Sequence, residues 1–395
     1  MDPLLEACAE TSAYLARDPS PAPVHVRLEK DPRLRALAQA VAEHLHRGFE
    51  VHVPASAPDR PDKPRSWKAV TWNIERGKQL AALRRSLSED PRLNDADFYF
   101  LTEVDWGMAR SENRNVAAEL AETLGLHAYF APSYFNFTLG HGSERHQEGQ
   151  NTLGLHGKAI LSRYRLENLR VVRMANAIDK LKSKEARLGE KRALLADLGL
   201  GGETLTLACT HLDAFSSPRA RAAQLGRAIA ALDKRPRALV AGDWNTNTLD
   251  TTHGPAVLLS VLRQILVTGP QAMIRRHYPG PEQKFDAPLF RMLEGRGFDF
   301  RDCNEPGAGT YDLVSDDRDL GHMARDQFPD WVVRWINRQI QKGGGKISLK
   351  LDWFAARGLR SLDSRVIPLK PGADYPAGAR PSDHHPALLH FELAG

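Results

Sequence analysis

The spacing of hydrophobic and polar positions divides the chain into an N-terminal part and a longer remainder. Apolar side chains recur every three to four residues over 3–17 and 31–47, which places them on one face of an α-helix. Four prolines and several charged residues follow in VHVPASAPDRPDKPR, a composition typical of a linker. The pattern predicts a helical N-terminal extension over 1–50 and a Pro-rich linker over 51–66.

From Trp67 onward the apolar runs become short and rich in β-branched and aromatic residues, which favours strands. They read KAVTWNI, DFYFLTEVD, GKAILSRY, RALLADLGL, TLTLACTHL, RALVAGDWN, KISLKLDWFAAR and ALLHFEL. Helical spacing predicts helices at 113–125, 218–234, 256–266 and 330–341. RALLADL and TLTLACTHL predict a hairpin, because the glycines of the intervening GLGGE suit a turn. Hairpins mixed with strand–helix alternation predict an α+β sandwich over 67–395.

Composition narrows the class of protein. The 395 residues are 42% hydrophobic and 26% charged, which is typical of a soluble globular protein. The formal charge of +5 is a mild bias toward anionic partners, well short of a polybasic protein. Three widely spaced cysteines argue against a disulfide framework. The N-terminus has no signal-peptide pattern and no apolar run is long enough to span a membrane, so we expect a cytoplasmic location.

Polar residues suited to metal or phosphate chemistry follow most of these apolar runs. In AGDWN, Asp243 and Asn245 are two residues apart, so in an extended chain both side chains point to the same side. Each such residue alone has an ordinary explanation as a turn, cap or surface group. Their recurrence at successive strand ends favours one shared site, because charged groups beside apolar strands need partners. The set is Asn73, Glu103, His211, Asp243, Asn245, Asp352, Asp383 and His384.

The segments that contain these residues resemble those of a known family. The motifs TWNIERG, FLTEVD, CTHLD, AGDWNTN, LDWFAAR and SDHHP, in this order, resemble the motif series of the endonuclease/exonuclease/phosphatase superfamily, the DNase I-like phosphoesterases. The resemblance covers about 67–393 and leaves out the N-terminal extension. It implies a four-layered α/β sandwich, with two mixed β-sheets packed face to face and helices outside. It also implies a site at one rim of the sandwich, formed by both sheets.

The activity that the resemblance implies is metal-dependent hydrolysis of a phosphoester bond, most simply of a phosphodiester. Mg²⁺ suits the task because it prefers oxygen ligands and keeps several waters, and we expect Mn²⁺ to substitute for it. Glu103 is the strongest candidate ligand, and the resemblance places Asn73 beside it. Asp383 is a further candidate, either as a ligand or as a neighbour of one.

Two routes for activating the attacking water stay open. In the first, Asp243 takes the proton and Asn245 orients the phosphate or the water. In the second, His384 takes the proton and Asp352 positions its ring, because a carboxylate fixes the tautomer of an imidazole. His211, as an imidazolium or as a neutral donor, is expected to stabilise the pentacoordinate transition state.

Three further residues have weaker signals. His156 lies in GLHGKAILSR, which resembles a strand motif of the family, and it is a candidate for substrate binding with a structural role as the alternative. Arg110 is a candidate for contacting phosphate, with a place at the start of a helix as the alternative. Cys209 precedes His211 by two residues and is predicted to lie in the core.

The substrate class stays open between a lipid or small-molecule phosphodiester, which we favour, and DNA or RNA. Thr-His-Leu in the third motif is similar to neutral sphingomyelinases, whereas the Y-x-P-N arrangement of exonuclease III-type enzymes is missing. The Cys-Asp-Arg of inositol polyphosphate 5-phosphatases is missing as well. The basic stretch 179–192 is a candidate for contacting a polyanion, but it also contains Glu185 and Glu190, which favours the alternative of a solvated surface. Nucleic-acid binders usually carry a stronger basic face. A catalytically inactive scaffold is a further alternative, and the complete set of site residues argues against it.

The segment DWVVRWINRQIQ is amphipathic. Trp331 and Trp335 are four residues apart and share one helical face. We expect this face to pack on the sandwich, and a substrate lid or a contact with a membrane surface is the alternative.

Overall fold

The computed structural model of the chain describes residues 2–18, 20–56, 66–314, 345–369 and 380–394, with 334, 338, 341 and 342. The strands in these ranges are β1 (Phe49–His52), β2 (Trp67–Arg76), β3 (Phe98–Trp106), β4 (His127–Asn136), β5 (Leu155–Ser162), β6 (Glu167–Arg173), β7 (Arg187–Gly189), β8 (Arg192–Gly199), β9 (Thr204–His211), β10 (Arg237–Asp243), β11 (Tyr311–Val314), β12 (Lys346–Leu349), β13 (Asp352–Arg357), β14 (Leu359–Val366) and β15 (Ala387–Leu393). The α-helices are α1 (Pro3–Arg17), α2 (Val24–Lys30), α3 (Pro32–His44), α4 (Leu80–Glu89), α5 (Val116–Leu124), α6 (Pro218–Ala230), α7 (Gly254–Thr268), α8 (Pro270–Ala272) and α9 (Ala287–Gly295).

Two large sheets carry the fold. The larger has eight strands in the order β1-β4-β5-β3-β2-β15-β14, with β7 paired to β4, and the smaller has five in the order β13-β10-β9-β8-β6. Each sheet contains one parallel pair, β2 with β3 and β9 with β10, among antiparallel neighbours. Strands β11 and β12 form a separate ribbon. The mixed sheets and the β8–β9 hairpin confirm the predicted α+β class.

The sheets pack face to face through an apolar layer. The larger sheet contributes Phe98, Phe100 and Ile160 to it, and the smaller contributes Leu207 and Leu239. A second apolar layer joins the larger sheet to α1, α3, α4 and α5, and a third joins the smaller sheet to α6 and α9. The order helix, sheet, sheet, helix is the four-layered sandwich that the family resemblance implied.

Strand β9 shows why the sequence signal was a continuous apolar run. Successive side chains point to opposite faces of a sheet, and here both faces are covered. Leu207 and Cys209 point into the layer between the sheets, whereas Ala208 packs toward α6. Cys209 is buried in the core, as predicted. His211 follows on the same side as Cys209, at the point where the strand reaches the rim.

The helix predicted at 3–17 is present with those ends, and four others, predicted at 31–47, 113–125, 218–234 and 256–266, are present with shifted ends. Helices α2, α4, α8 and α9 were not predicted. The sequence of α2, VHVRLEK, alternates like a strand, and the helix buries none of its residues. The predicted helix at 330–341 lies almost wholly outside the described residues, and so do Trp331 and Trp335.

The N-terminal segment packs on the sandwich. Leu4 of α1 and Leu34 of α3 belong to the same apolar layer as Val70 of β2. Strand β1 pairs with β4 at the edge of the larger sheet, so a strand crosses the predicted boundary between extension and linker. Residues 57–65 of the linker lie outside the described residues. The division into extension, linker and domain stays a prediction.

In the part of the chain that the structure describes, no single helix is long and apolar enough to cross a membrane. Helix α7 and the following Pro270–His277 meet the requirement by length and composition only as a pair, which is bent by 101°.

Candidate active site

Three of the predicted side chains lie in a row across the smaller sheet. Asp243 is opposite His211 in the parallel β9–β10 pair and opposite Asp352 in the antiparallel β10–β13 pair. Nε2 of His211 lies 3.6 Å from Oδ2 of Asp243. Strand pairing therefore brings together residues that are more than a hundred positions apart.

Gly242 allows this close pairing. Its φ is +139°, which residues with a side chain rarely adopt, and a Cβ atom there would lie 1.8 Å from the carbonyl oxygen of Thr210. Only glycine lets β10 approach β9 this closely just before Asp243. The glycine of AGDWN therefore has a steric role in the site.

The larger sheet contributes Asn73 and Glu103 from the ends of the parallel strands β2 and β3. Nδ2 of Asn73 donates a 3.1 Å hydrogen bond to Oδ2 of Asp243, which joins the two sheets at the rim. Both strands have an irregular register here, and Glu103 has a φ of +52°. A non-glycine residue in this region is uncommon and often marks a functional position.

His384 and Asp352 form a buried pair. Nδ1 of His384 lies 2.7 Å from Oδ2 of Asp352, which leaves Nε2 of the ring as its other polar atom. Trp72 holds the backbone from the opposite side by donating a 2.9 Å hydrogen bond to the carbonyl of His384. Burial opposes a charge on the ring, but the Asp352 carboxylate outweighs it and raises the pKa of His384 well above its ordinary value. The ring is therefore an imidazolium at neutral pH.

Asp243 is the most heavily hydrogen-bonded carboxylate of the site. Asn245 donates to it through its backbone N–H at 2.8 Å and through its side-chain amide at 3.2 Å. Asn245 has a φ of +49°, and its amide also bonds the carbonyl of Leu212 at 3.1 Å. Burial, and next the negative charge of Asp352, raise the pKa of Asp243. A carboxylate whose pKa lies closer to neutrality is a better acceptor of a proton.

Glu103 and Asp383, the two candidate carboxylate ligands of a metal, differ in their electrostatic surroundings. Burial opposes the charge of Glu103, but Arg76, with Nε 3.5 Å from Oε2, is the strongest of the neighbours that lower its pKa well below the ordinary value. Burial raises the pKa of Asp383, and Glu75 and Glu103 add to the effect. The surroundings of Asp383 therefore destabilise its charged form.

His211 has the opposite electrostatic setting to His384. Burial and then the positive charge of Lys191 lower the pKa of His211 well below its ordinary value, although Glu103 opposes the effect. The ring is therefore neutral at neutral pH. Of the two forms that the sequence left open, this setting favours the neutral donor.

His156 belongs to a second carboxylate–imidazole pair, next to Glu103. Its Nδ1 lies 2.7 Å from Oδ1 of Asp105. Arg110 binds the same carboxylate at 2.6 and 3.0 Å, and it also bonds Glu185 at 2.7 Å. Burial lowers the pKa of His156 to about 4, so the ring is neutral. The Arg110 side chain has no exposed surface, and this arrangement favours a structural role for it over a contact with phosphate.

The sequence analysis missed three cationic residues around the rim. Arg76, the last residue of β2, lies between Glu103 and Glu144 and donates a hydrogen bond to Glu144, and nothing in the neighbouring sequence signalled this position. Lys158 on β5 and Lys191 just before β8 are buried as well. For Lys158 a signal existed, because a lone charge stands in the apolar run LHGKAILS, two residues after His156.

The predicted site residues thus come from both sheets and meet at one rim, as expected of a DNase I-like sandwich. A family model described as the Endonuclease/Exonuclease/phosphatase family matches residues 70–384. The chain belongs to this family, whose members hydrolyse phosphoester bonds as nucleases or phosphatases. No curated protein matches the chain.

Solved structures of the same superfamily resemble the chain. TDP2 from Caenorhabditis elegans is 14% identical with a TM-score of 0.46, and the match covers 99% of this chain and 94% of that one. The human nocturnin catalytic domain with a bound sulfate anion is 16% identical with a TM-score of 0.45, over 88% and 97% of the two chains. A family protein from Leptotrichia buccalis is 14% identical with a TM-score of 0.45, over 83% and 100%. Likenesses at this level bear on neither the activity nor the substrate of the chain.

Proposed function

We propose that the chain is a metal-dependent phosphodiesterase that cleaves its substrate by direct attack of water. One observation carries the proposal. Strand pairing aligns His211, Asp243 and Asp352, and a hydrogen bond from Asn73 to Asp243 brings in the ligand candidates of the opposite sheet. Side chains with acid–base, donor and metal-binding chemistry thus share one rim of the sandwich.

The donor set of the rim fits Mg²⁺ rather than zinc. Among the described residues, no three His, Cys, Asp or Glu side chains form a group that could hold a metal ion unaided, so a cation here would need other oxygen donors and water as well. The candidates are the carboxylates of Glu103 and Asp383 and the amide oxygen of Asn73, which accepts one 3.0 Å hydrogen bond from the backbone of Glu75 and keeps a second lone pair. Hard oxygen donors of this kind suit a cation that keeps several waters. Burial and then the carboxylates of Glu75 and Glu103 raise the pKa of Asp383, and a bound cation would stabilise its charged form, which supports the assignment. We propose these three residues as the holders of Mg²⁺, with Mn²⁺ as a substitute.

Such a cation, when bound, would neutralise phosphoryl oxygens and polarise the attacking water. We assign the removal of the water's proton to Asp243, because its raised pKa makes it a better proton acceptor. His384 is not the base, because its ring is already protonated at neutral pH. Asn245 holds the Asp243 carboxylate in place. His384 provides a positive charge and a proton on Nε2, which can stabilise the phosphoryl group or the leaving oxygen. His211 donates to the transition state as a neutral ring.

A diester is favoured over a monoester on grounds of charge. Four carboxylates, those of Glu103, Asp243, Asp352 and Asp383, surround the centre. A phosphodiester carries one negative charge and a monoester about two at neutral pH. The four carboxylates therefore repel a bound diester less than a bound monoester.

Hydrolysis of bis(p-nitrophenyl) phosphate by the purified full chain tests the proposal. We expect release of p-nitrophenolate with Mg²⁺ or Mn²⁺ and none with EDTA. Asp243→Asn and Glu103→Gln should each lower the rate by more than about a hundredfold. Glu122→Gln is the matched control, because Glu122 is an exposed glutamate on α5 with 70% of its side chain accessible.

Full activity in EDTA would refute the metal requirement. No hydrolysis under any condition, by a folded chain, would favour the scaffold alternative. A panel of nicked plasmid, RNA, phospholipid and inositol phosphate, run with the same variants, separates the nuclease alternative from lipid and small-molecule substrates.

A further inference from the structure

Lys158 and Lys191 are two buried lysines beside the site, and neither forms an ion pair with a residue that the structure describes. Lys158 is 1% exposed and Lys191 is 6% exposed. Nζ of Lys158 donates a 2.7 Å hydrogen bond to the hydroxyl of Ser133. Among the described residues, neither ammonium forms an ion pair, and that of Lys191 has no hydrogen bond. Buried charges are ordinarily paired, so the missing partner needs an explanation.

A third buried lysine nearby, Lys180, does form an ion pair. Nζ of Lys180 lies 2.6 Å from Oδ1 of Asp213. Asp213 also accepts hydrogen bonds from the backbone of Ala177 at 3.2 Å and of Phe215 at 3.1 Å, so its oxygens are engaged. Asp213 interacts electrostatically with Lys191 as well. Asp213 therefore serves both Lys180 and Lys191, while Lys158 is bonded only to a hydroxyl, which leaves an excess of basic groups here.

The excess lies toward the proposed reaction centre. Lys158 is on the same side of β5 as His156 and Ile160, and Ile160 belongs to the layer between the sheets. Across the sheet, Lys158 is paired with Thr102, the residue before Glu103. Lys191 is the charge that most strongly disfavours protonation of His211. Both lysines thus stand between the core and the rim, next to the residues that would bind phosphate.

We infer that Lys158 and Lys191 form an anion subsite, which binds a phosphate group of the substrate other than the one that is cleaved. The inference rests on the function proposed above. The cleaved phosphate has His211 and His384 for its oxygens, whereas Lys158 is bonded to Ser133 and Lys191 interacts electrostatically with Asp213. The substrate class is accordingly a phosphodiester that carries a second phosphate.

A second phosphate would repay the cost of burying the two charges. Charge-assisted hydrogen bonds of this kind are about twice as strong as neutral ones. Loss of one such bond corresponds to a roughly 10- to 100-fold loss in binding.

The test uses two aryl diesters that differ only in the second charge, ethyl p-nitrophenyl phosphate and its 2-phosphoryloxyethyl analogue. For the wild type we expect kcat/KM to be at least about tenfold higher with the phosphorylated substrate. In Lys158→Met this preference should fall to about one, while hydrolysis of the plain ethyl diester stays within about threefold of the wild type. In Lys191→Met the preference, measured as the ratio between the two substrates, should fall likewise, whatever the change in the rate with the plain diester, because Lys191 also acts on the pKa of His211. Lys182→Met is the matched control, since Lys182 lies in the same loop region with 67% of its side chain exposed.

Each outcome is decisive. No preference in the wild type, or an unchanged preference in both variants, would overturn the subsite. Equal losses with both substrates would show that the lysines serve the cleaved phosphate or the packing, and would overturn it as well. The proposed phosphodiesterase activity is judged separately, by EDTA-sensitive hydrolysis of the plain diester.

A measurement of stability guards against a misfolded variant. If the lysines are kept for ligand binding, replacing a buried unpaired ammonium by methionine should leave the melting temperature unchanged or raise it. A lowered melting temperature in both variants would indicate a structural role and contradict the inference. Inorganic pyrophosphate should raise the melting temperature of the wild type and not of either variant.

Discussion

Nδ1 of His384 lies 2.7 Å from Oδ2 of Asp352, and the other oxygen of this carboxylate, Oδ1, is buried without a hydrogen-bond partner. The side chain of Asp352 thus pairs with the ring of His384 through one oxygen. Its partner is a cation because of this contact, since burial alone would keep the ring neutral. The protonation state of His384 therefore depends on a residue that need not touch the substrate.

Asp352→Asn should change the pH dependence of the reaction. The substitution removes the charge that holds the proton on His384, so the pKa of His384 falls. Activity that needs the imidazolium is lost as pH rises through this pKa, and in the variant the loss begins at lower pH. We expect the alkaline limb of the pH–rate profile for an aryl diester to move down by at least about one pH value. Asp363→Asn, at an exposed position of β14, should keep the wild-type profile.

His211→Ala should lower turnover by about 10²–10³, the typical cost of removing one preorganised donor. Because the ring is neutral, the loss should be the same from pH 6.5 to 8.5. Steady-state rates at saturating substrate measure it, and His46→Ala, an exposed histidine, serves as the control. Near wild-type turnover in His211→Ala would remove this residue from the mechanism.

Gly242→Ala should destabilise the fold as well as the site. The added methyl group would overlap the carbonyl oxygen of Thr210, and the backbone conformation disfavours a side chain. We expect a loss of at least about 3 kcal/mol in the free energy of unfolding, measured with urea. Gly226→Ala in α6 is the matched control, because nothing lies within 4 Å of its added Cβ and alanine is the better helix former. The control should gain about 0.5–1 kcal/mol. Similar stabilities for the two variants would contradict the steric role of Gly242.

Lys158→Met should be more stable than the wild type by an amount that depends on pH. Burial lowers the pKa of Lys158 from 10.5 to about 8. Above 10.5 the lysine is neutral in both the folded and the unfolded chain and has no penalty. As pH falls toward 8, the unfolded chain gains the proton first, and the wild type loses up to about 3 kcal/mol relative to the variant. Unfolding curves at pH 7, 9 and 10 measure the difference, and a difference independent of pH would refute a buried charge at this position.

Much of the site could be predicted because its functional side chains lie at the ends of strands. Asp243, His211 and Glu103 each close an apolar run, so local pattern placed them at the rim. The pairing of Asp352 with His384 was predicted only through the family resemblance, since the contact depends on how β13 meets the loop before β15.

Other features depend on contacts that no local pattern contains. Asp105 looks like an ordinary residue near a turn, and its role follows from its contacts with His156 and Arg110. A lone lysine in an apolar strand, such as Lys158, is usually explained by its long stem reaching solvent. Helix α2 was missed because its alternation is that of a strand, and its conformation is set by neighbours.

The hydrogen bond from Trp72 to the carbonyl of His384 spans 312 positions of the chain. During translation, Trp72 is synthesised long before His384. A nascent polypeptide that has already exposed Asn73, Glu103 and Asp243 still lacks the imidazolium of the proposed reaction. We therefore expect a chain that stops before His384 to be inactive in the proposed reaction.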